Sequence, residues 1–180
     1  SITGNVPSEN HRISSTNWLA CRGSVAITSN GVCSVLANST VAIAVLALDQ
    51  FVKEVIQRTL PAGGTSVGPL FDFQRVRNAG VNFGLLSDYP ALVLVLTGTI
   101  GLALLGYMIV RPPHHWWTVT GFAFLLGGGF SNVVDRIRLG WVFDYLNIYP
   151  FVGYLNLADL AIGAGVLVLV LEATFRKNTQ

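Results

Sequence analysis

Apolar and polar positions along this chain are segregated into long blocks. Pro90 to Val110 is a run of 21 residues without a charge, and Trp116 to Val134 is another of 19. Each is close to the ~20 residues that an α-helix needs to cross hydrocarbon. A further apolar block runs from about Asn156 to Phe175 and ends in Arg176 and Lys177. The earliest block is weaker, since an uncharged run through Asn38, Ser39 and Thr40 becomes continuously apolar only from Val41 to Leu48, before Asp49. A helix from about 32 to 57 is still long enough to span. The pattern therefore predicts four transmembrane helices, over about 32–57, 90–110, 116–134 and 156–175.

Between the first two predicted spans the character changes. Pro61, Gly63, Gly64, Gly68 and Pro69 break any helix, and Leu70 to Arg77 approaches strand-like alternation. Residues 58–88 are read as an extramembrane β-rich platform carrying the polar stretch Asn78 to Gly84. The platform is not a fifth span, because burying Asp72, Arg75, Arg77 and Asp88 in hydrocarbon costs roughly 2.5–3.5 kcal/mol each. Its Leu70, Phe71, Phe73, Val76 and Phe83 predict packing against the spans or the bilayer surface, with Asn78 and Phe83 turned toward the site. The fold class is thus a membrane all-α protein with a small β platform. Residues 1–31, rich in Ser, Asn, Thr and Gly, read as a tail preceding the unit 32–175, and 176–180 as a C-terminal tail.

Composition agrees with a membrane solvent: 52% of residues are hydrophobic, 11% are charged, and mean hydropathy is +0.57. A net charge of +2 from dispersed basic residues gives no nucleic-acid footprint. Cys21 and Cys33 read as isolated thiols, and Leu19-Ala20-Cys21 as a chance likeness to a lipid-attachment box. His114 and His115, without nearby carboxylate or thiolate partners, read as an interfacial loop flanked by belt residues Trp116 and Trp117. No metal or other cofactor is expected.

Four spans put the termini and the 111–115 linker on one side. The opposite side receives Asp49 and Lys53, the platform, Asn132, Asp135 and Arg136, the connection holding Asp144, and Asn156 with Asp159. Every polar cluster converges on one membrane face. Arg and Lys counts do not decide orientation, but the Arg-bearing linker and C-terminus favour the cytoplasmic side for those ends. The clustered face then points outward.

Ionisable groups at the edge of a span are expensive and mark functional sites. Asn132, Asp135 and Arg136 share a helical face, as do Asn156, Asp159 and Gly163, so two helices each offer an amide and a carboxylate to one cavity. Gly127, Gly128 and Gly129 permit close helix approach or contact with substrate. Two of the aspartates are expected to form a water-activating pair. Close carboxylates do not both ionise cheaply, so the pair shares a proton. One member then takes a proton from the attacking water while the other polarises the scissile carbonyl. Asp135 beside Arg136 reads as an internal ion pair, Asp49 with Lys53 as a structural one, and Asp72 and Asp88 as solvated. Asp144 and Asp159 are left as the pair, with Asp135 and Asp159 open as an alternative.

Five ordered motifs carry a family resemblance: Asp49-Gln50-x-x-Lys53, Asn78-x-Gly80-x-x-Phe83-Gly84, Gly127-Gly128-x-x-x-Asn132-x-x-Asp135-Arg136, Gly140-x-Val142-x-Asp144-Tyr145 and Asn156-x-Ala158-Asp159. From about residue 36 to 174 the chain resembles lipoprotein signal peptidase, the bacterial type II signal peptidase. The resemblance implies an inner-membrane aspartyl endopeptidase that removes signal peptides from diacylglyceryl-modified prolipoproteins just before the lipidated cysteine. It implies Asp144 and Asp159 as catalytic, and Asp49, Lys53, Asn78, Gly80, Phe83, Asn132, Asp135, Arg136 and Asn156 as supporting or substrate-lining. It also implies inhibition by globomycin-type cyclic peptides. The chain departs from the family pattern at Val81-Asn82, where small residues are usual, at Ser131, where glycine is usual, and in a shorter interval between Asp144 and Asp159.

Other classes fit less well. A proton-coupled transporter is expected to show internal repeats and a midplane site. A presenilin-like protease carries G-x-G-D, whereas these glycines lead into Phe130-Ser131-Asn132. A non-enzymatic scaffold leaves the convergence of motifs without a cause.

Overall fold

A computed structural model describes residues 39–81, 85–111, 113, 115–150 and 153–177. Cys21, Cys33, Phe83, His114 and the tail over 1–31 lie outside the described residues. The described residues form four helices and three strands: α1 (39–59), β1 (Thr65–Val67), β2 (Phe71–Asn78), α2 (Pro90–Val110), α3 (Trp116–Leu139), β3 (Val142–Ile148) and α4 (Leu157–Lys177). Of these, α2, α3 and α4 are each long and apolar enough to cross a bilayer. The described part of α1 carries Asp49, Lys53, Glu54 and Arg58 and does not meet that measure alone.

Helix α3 is the centre of the bundle and packs on α4, α2 and β3. Its glycines let the backbones meet. A Cβ at Gly127 would sit 2.6 Å from the Ala42 carbonyl oxygen of α1, and one at Gly128 would collide with the Ala158 carbonyl and Ile162 of α4. These two glycines therefore serve helix packing, while Gly129 has open space over it. On the outer faces Val95, Ile100, Leu102, Ile109 and Val166 are exposed, an apolar surface suited to lipid rather than water.

The sheet is antiparallel throughout, in the order β1-β2-β3. The expected platform thus gains a third strand from the interval after α3, expected to be only a connection. Val142–Ile148 pairs with β2, setting Val142 opposite Asn78 and Asp144 opposite Val76. Asp72, expected to be solvated, lies on β2 half-exposed and accepts hydrogen bonds from Ser66, Gln74 and the Tyr154 hydroxyl.

Two local devices aim β3 and α4 at each other. Gly140 ends α3 at φ 82°, a left-handed conformation that glycine adopts without a Cβ penalty, and the chain reverses into β3 two residues later. Beyond β3, Leu155 pairs back on Leu146 through reciprocal backbone hydrogen bonds of 2.8 and 2.9 Å. That clamp holds the start of α4 against the strand bearing Asp144.

Candidate active site

The first turn of α4 organises the site. Four N–H groups at a helix start lack intrahelical partners, and here each finds one. Leu157 N donates to the Tyr145 hydroxyl (3.1 Å), Ala158 N to Asp49 Oδ1 (2.9 Å) and Asp159 N to Asn156 Oδ1 (2.9 Å), while Leu160 N makes the first intrahelical bond, to the Asn156 carbonyl (3.3 Å). Asn156 N in turn donates to Asp159 Oδ2 (3.2 Å). Asn156-x-x-Asp159 is therefore a reciprocal capping box, and three carboxylate or hydroxyl groups sit at the positive end of the helix. Burial, then the charge of Asp49, pushes the Tyr145 phenol up to about 12, so it stays a neutral acceptor for Leu157 N.

Two buried layers follow. In the inner one, Lys53 Nζ reaches Asp49 Oδ2 at 2.7 Å, Asp135 Oδ2 at 2.8 Å and Asn132 Oδ1 at 3.1 Å. Asp49 also accepts from Ser131 Oγ (2.6 Å), and Asp135 from Gln50 Nε2 (2.7 Å) and Phe143 N (3.3 Å). The ion partner of Asp135 is thus Lys53 of α1 rather than the expected Arg136, since adjacent helical residues point about 100° apart. Arg136 instead donates to the Gly80 carbonyl (2.8 Å) and the Asn132 carbonyl (3.3 Å), tying α3 to the end of β2.

The outer layer contains Asp144 and Asp159. Asp144 Oδ1 accepts from Asn156 Nδ2 (2.6 Å), and its Oδ2 accepts from Asn78 Nδ2 (2.9 Å), across the diagonal of the β2–β3 pair. Asp159 Oδ1 accepts from Asn132 Nδ2 (2.8 Å). The amide orientations are forced. An ammonium only donates, so Asn132 turns its oxygen to Lys53 and its NH₂ to Asp159; a backbone N–H occupies the Asn156 oxygen, so its NH₂ faces Asp144. Lys53 thereby acts on Asp159 through Asn132.

Asp144 and Asp159 both line one cavity of about 410 Å³, with Asn78, Asn132, Arg136 and, deeper between the helices, Thr97, Gly129, Ile162 and Gly163. Asp49, Lys53 and Asp135 do not reach it. Burial first, and then the neighbouring charge of Asp159, raises Asp144 to about 7 against opposing hydrogen bonds from Asn78 and Asn156 and the charge of Lys53. Among the described residues, no group of three His, Cys, Asp or Glu is placed to hold a metal ion.

This shift has a measurable consequence for stability. An aspartate raised from 3.8 to about 7 binds a proton in the folded state that the unfolded chain releases over that interval. Its contribution is full below pH 3.8 and is lost as pH rises through about 7. Asp144→Asn, which cannot ionise, is expected to gain thermal stability relative to the parent as pH is raised from 4 to 8 in one detergent. A constant difference in melting midpoint across that range would contradict the shift.

Three contributors were missed in the sequence. Ser131, read only as a departure, is fully buried and bridges Asp49 and Gln50 Nε2 (3.0 Å). Gln50 and Tyr145 stood inside quoted motifs without a role. A polar residue next to a helical glycine run was the available signal for Ser131.

Three helices fit to cross a bilayer, bringing amide-supported aspartates from a strand and a helix start into one cavity, define a multi-pass membrane peptidase of the aspartic class. The profile of the family Signal peptidase (SPase) II, peptidase A8, matches residues 41–175. The chain belongs to that family. The lipoprotein signal peptidase of Caldanaerobacter subterraneus subsp. tengcongensis is 35% identical over 127 residues, 69% of this chain and 87% of that protein. That of Moorella thermoacetica is 33% identical over 132 residues, covering 71% and 86%. A bacterial membrane enzyme solved by the in meso method at 2.3 Å resolution shares the fold, with a TM-score of 0.72 at 24% identity over 79% of this chain and 90% of the other.

Proposed function

We propose that this enzyme removes signal peptides from diacylglyceryl-modified prolipoproteins by cutting before the lipidated cysteine, with Asp144 and Asp159 as the catalytic pair. The observation that carries the assignment is the division of carboxylates. Asp49 and Asp135 face Lys53 and the inner network, while Asp144 and Asp159 are held by amides and open on the cavity. Amide donors orient a carboxylate without committing it to an ion pair, which keeps its proton available for exchange. One ionised member accepts a proton from water as the oxygen attacks the carbonyl; the protonated member donates toward the carbonyl oxygen and then to the departing amine.

The remaining residues support this geometry. Asn78, Asn132 and Asn156 hold the pair, Arg136 with Gly80 fixes the end of β2 beside it, and Lys53 with Asp49 and Asp135 fixes the helices. The cavity reaches from the sheet toward Thr97, Gly129 and Gly163 inside the bundle, a path by which a lipid-bound substrate enters sideways from the bilayer. The site faces the outer side of the inner membrane, and globomycin-type cyclic peptides occupy the same cavity. Phe83, whose place lies outside the described residues, keeps its assignment from the motif.

The test is cleavage by the purified full chain of a diacylglyceryl-modified prolipoprotein and of its unmodified precursor, with the new N-terminus read by mass spectrometry. Cleavage before the lipidated cysteine, stopped by globomycin and persisting with EDTA, is expected. Equal processing of the unmodified precursor, or loss on chelation with rescue by zinc, would overturn the reading.

A further inference from the structure

The end of the bundle opposite the sheet holds a second cavity, away from Asp144 and Asp159. There α2 stops at Val110, α3 begins at Trp116 and α4 reaches Lys177. The cavity measures about 480 Å³, and basic side chains from all three segments line it: Arg111 at the end of α2, His115 capping α3 and Arg176 in the last turn of α4. Tyr107, one turn inward on α2, and Phe122, well inside α3, line it on the hydrocarbon side together with Val110. The lining thus passes from apolar to cationic toward the end of the spans. Glu172, the nearby acid, lines an adjoining space with His115 and Arg176, and its carboxylate accepts the Thr118 hydroxyl at 2.6 and 2.7 Å.

We propose that this cavity binds the phosphate headgroup of an anionic membrane phospholipid, with the lipid's glycerol and first acyl carbons along Tyr107, Val110 and Phe122. Guanidinium groups fork onto phosphate oxygens, and the cavity lies where the spans end, at the depth of headgroups. The apolar inner wall is what separates this occupant from a dissolved anion, which would gain nothing there. Trp116 and Trp117, stacked and 61% and 48% exposed, mark the same interface on α3. Neither the chemistry nor the residues of the peptidase site enter, so this assignment stands apart from the catalytic one.

The experiment is titration of the purified full chain in mild detergent with phosphatidylglycerol, phosphatidylcholine or inorganic phosphate, read by native mass spectrometry and thermal shift. Saturable phosphatidylglycerol binding that raises the melting midpoint is expected. Arg111→Gln with Arg176→Gln should weaken it by about thirtyfold, from roughly one factor of several for each basic group at a membrane surface. Arg58→Gln with Arg75→Gln removes the same charge at the sheet end and should leave it unchanged. If the first pair does not fold, Arg111→Glu, at an exposed helix end, should weaken binding by itself. Equal binding of phosphatidylcholine, equal loss in the control pair, or full protection by inorganic phosphate alone would each overturn the proposal.

Discussion

Asp144→Asn and Asp159→Asn are each expected to lower prolipoprotein cleavage by about 10²–10⁴-fold, the usual range for removing a positioned acid or base, while leaving a folded, membrane-inserted protein. Folding should survive because the replaced groups are held by neutral amide and backbone donors, and an asparagine oxygen still accepts from one of the two at each site, so each change costs one hydrogen bond. No cation is orphaned by either change. Asp135→Asn is the informative contrast: its carboxylate faces Lys53, Gln50 and the Phe143 amide rather than the cavity, so cleavage should persist. The measurement is single-turnover cleavage of a lipidated substrate at equal amounts of folded enzyme. Parent-like turnover in either of the first two variants would remove that residue from the pair, and a loss confined to Asp135→Asn and Asp159→Asn would favour those two instead.

Much of this arrangement is legible in the sequence. Charge-free runs delimit α2 to the residue, because in hydrocarbon the solvent imposes its thickness on the sequence. The convergence of Asn132, Asp144, Asn156 and Asp159 followed from topology alone. Helix α3 was harder, since it continues past Val134 to Leu139 through Asp135, Arg136 and Arg138, where an apolar count stops although the helix does not. The strand β3 went unread because Val142–Ile148 is buried at Val142, Phe143, Asp144 and Tyr145 and so lacks the alternation of a half-exposed strand.

Partners were least legible where sequence separation is greatest. Local spacing correctly pairs Asp49 with Lys53, four residues apart on α1. The same local logic pairs Asp135 with its neighbour Arg136 and fails, because the cation that reaches Asp135 comes from α1, on the other side of the bundle. Ser131 fails for a related reason: a hydroxyl replacing glycine reads as lost flexibility until Asp49 and Gln50 are seen beside it. Periodicity reports which face a residue occupies. It does not report what faces it.

Lys53→Met is expected to destabilise the fold by about 3–5 kcal/mol, the cost typical of removing one partner from a buried ion pair. The side chain is 5% exposed, and its three donors all go to buried acceptors, Asp49, Asp135 and Asn132. Methionine fills the space but leaves two carboxylates without their cation. Adding Asp49→Asn and Asp135→Asn to Lys53→Met removes all three charges together and should recover most of the lost stability, since neutral amides carry a far smaller desolvation cost. Activity should not return with it. Without the ammonium, the Asn132 oxygen is held by Asn156 Nδ2 (3.1 Å) alone, so the amide whose NH₂ faces Asp159 is fixed by one donor instead of two. Melting midpoints in one detergent and cleavage rates for the parent, the single variant and the triple variant separate the two roles. A single variant as stable as the parent would contradict the ion network, whereas a triple variant with full cleavage would contradict the path from Lys53 through Asn132 to Asp159.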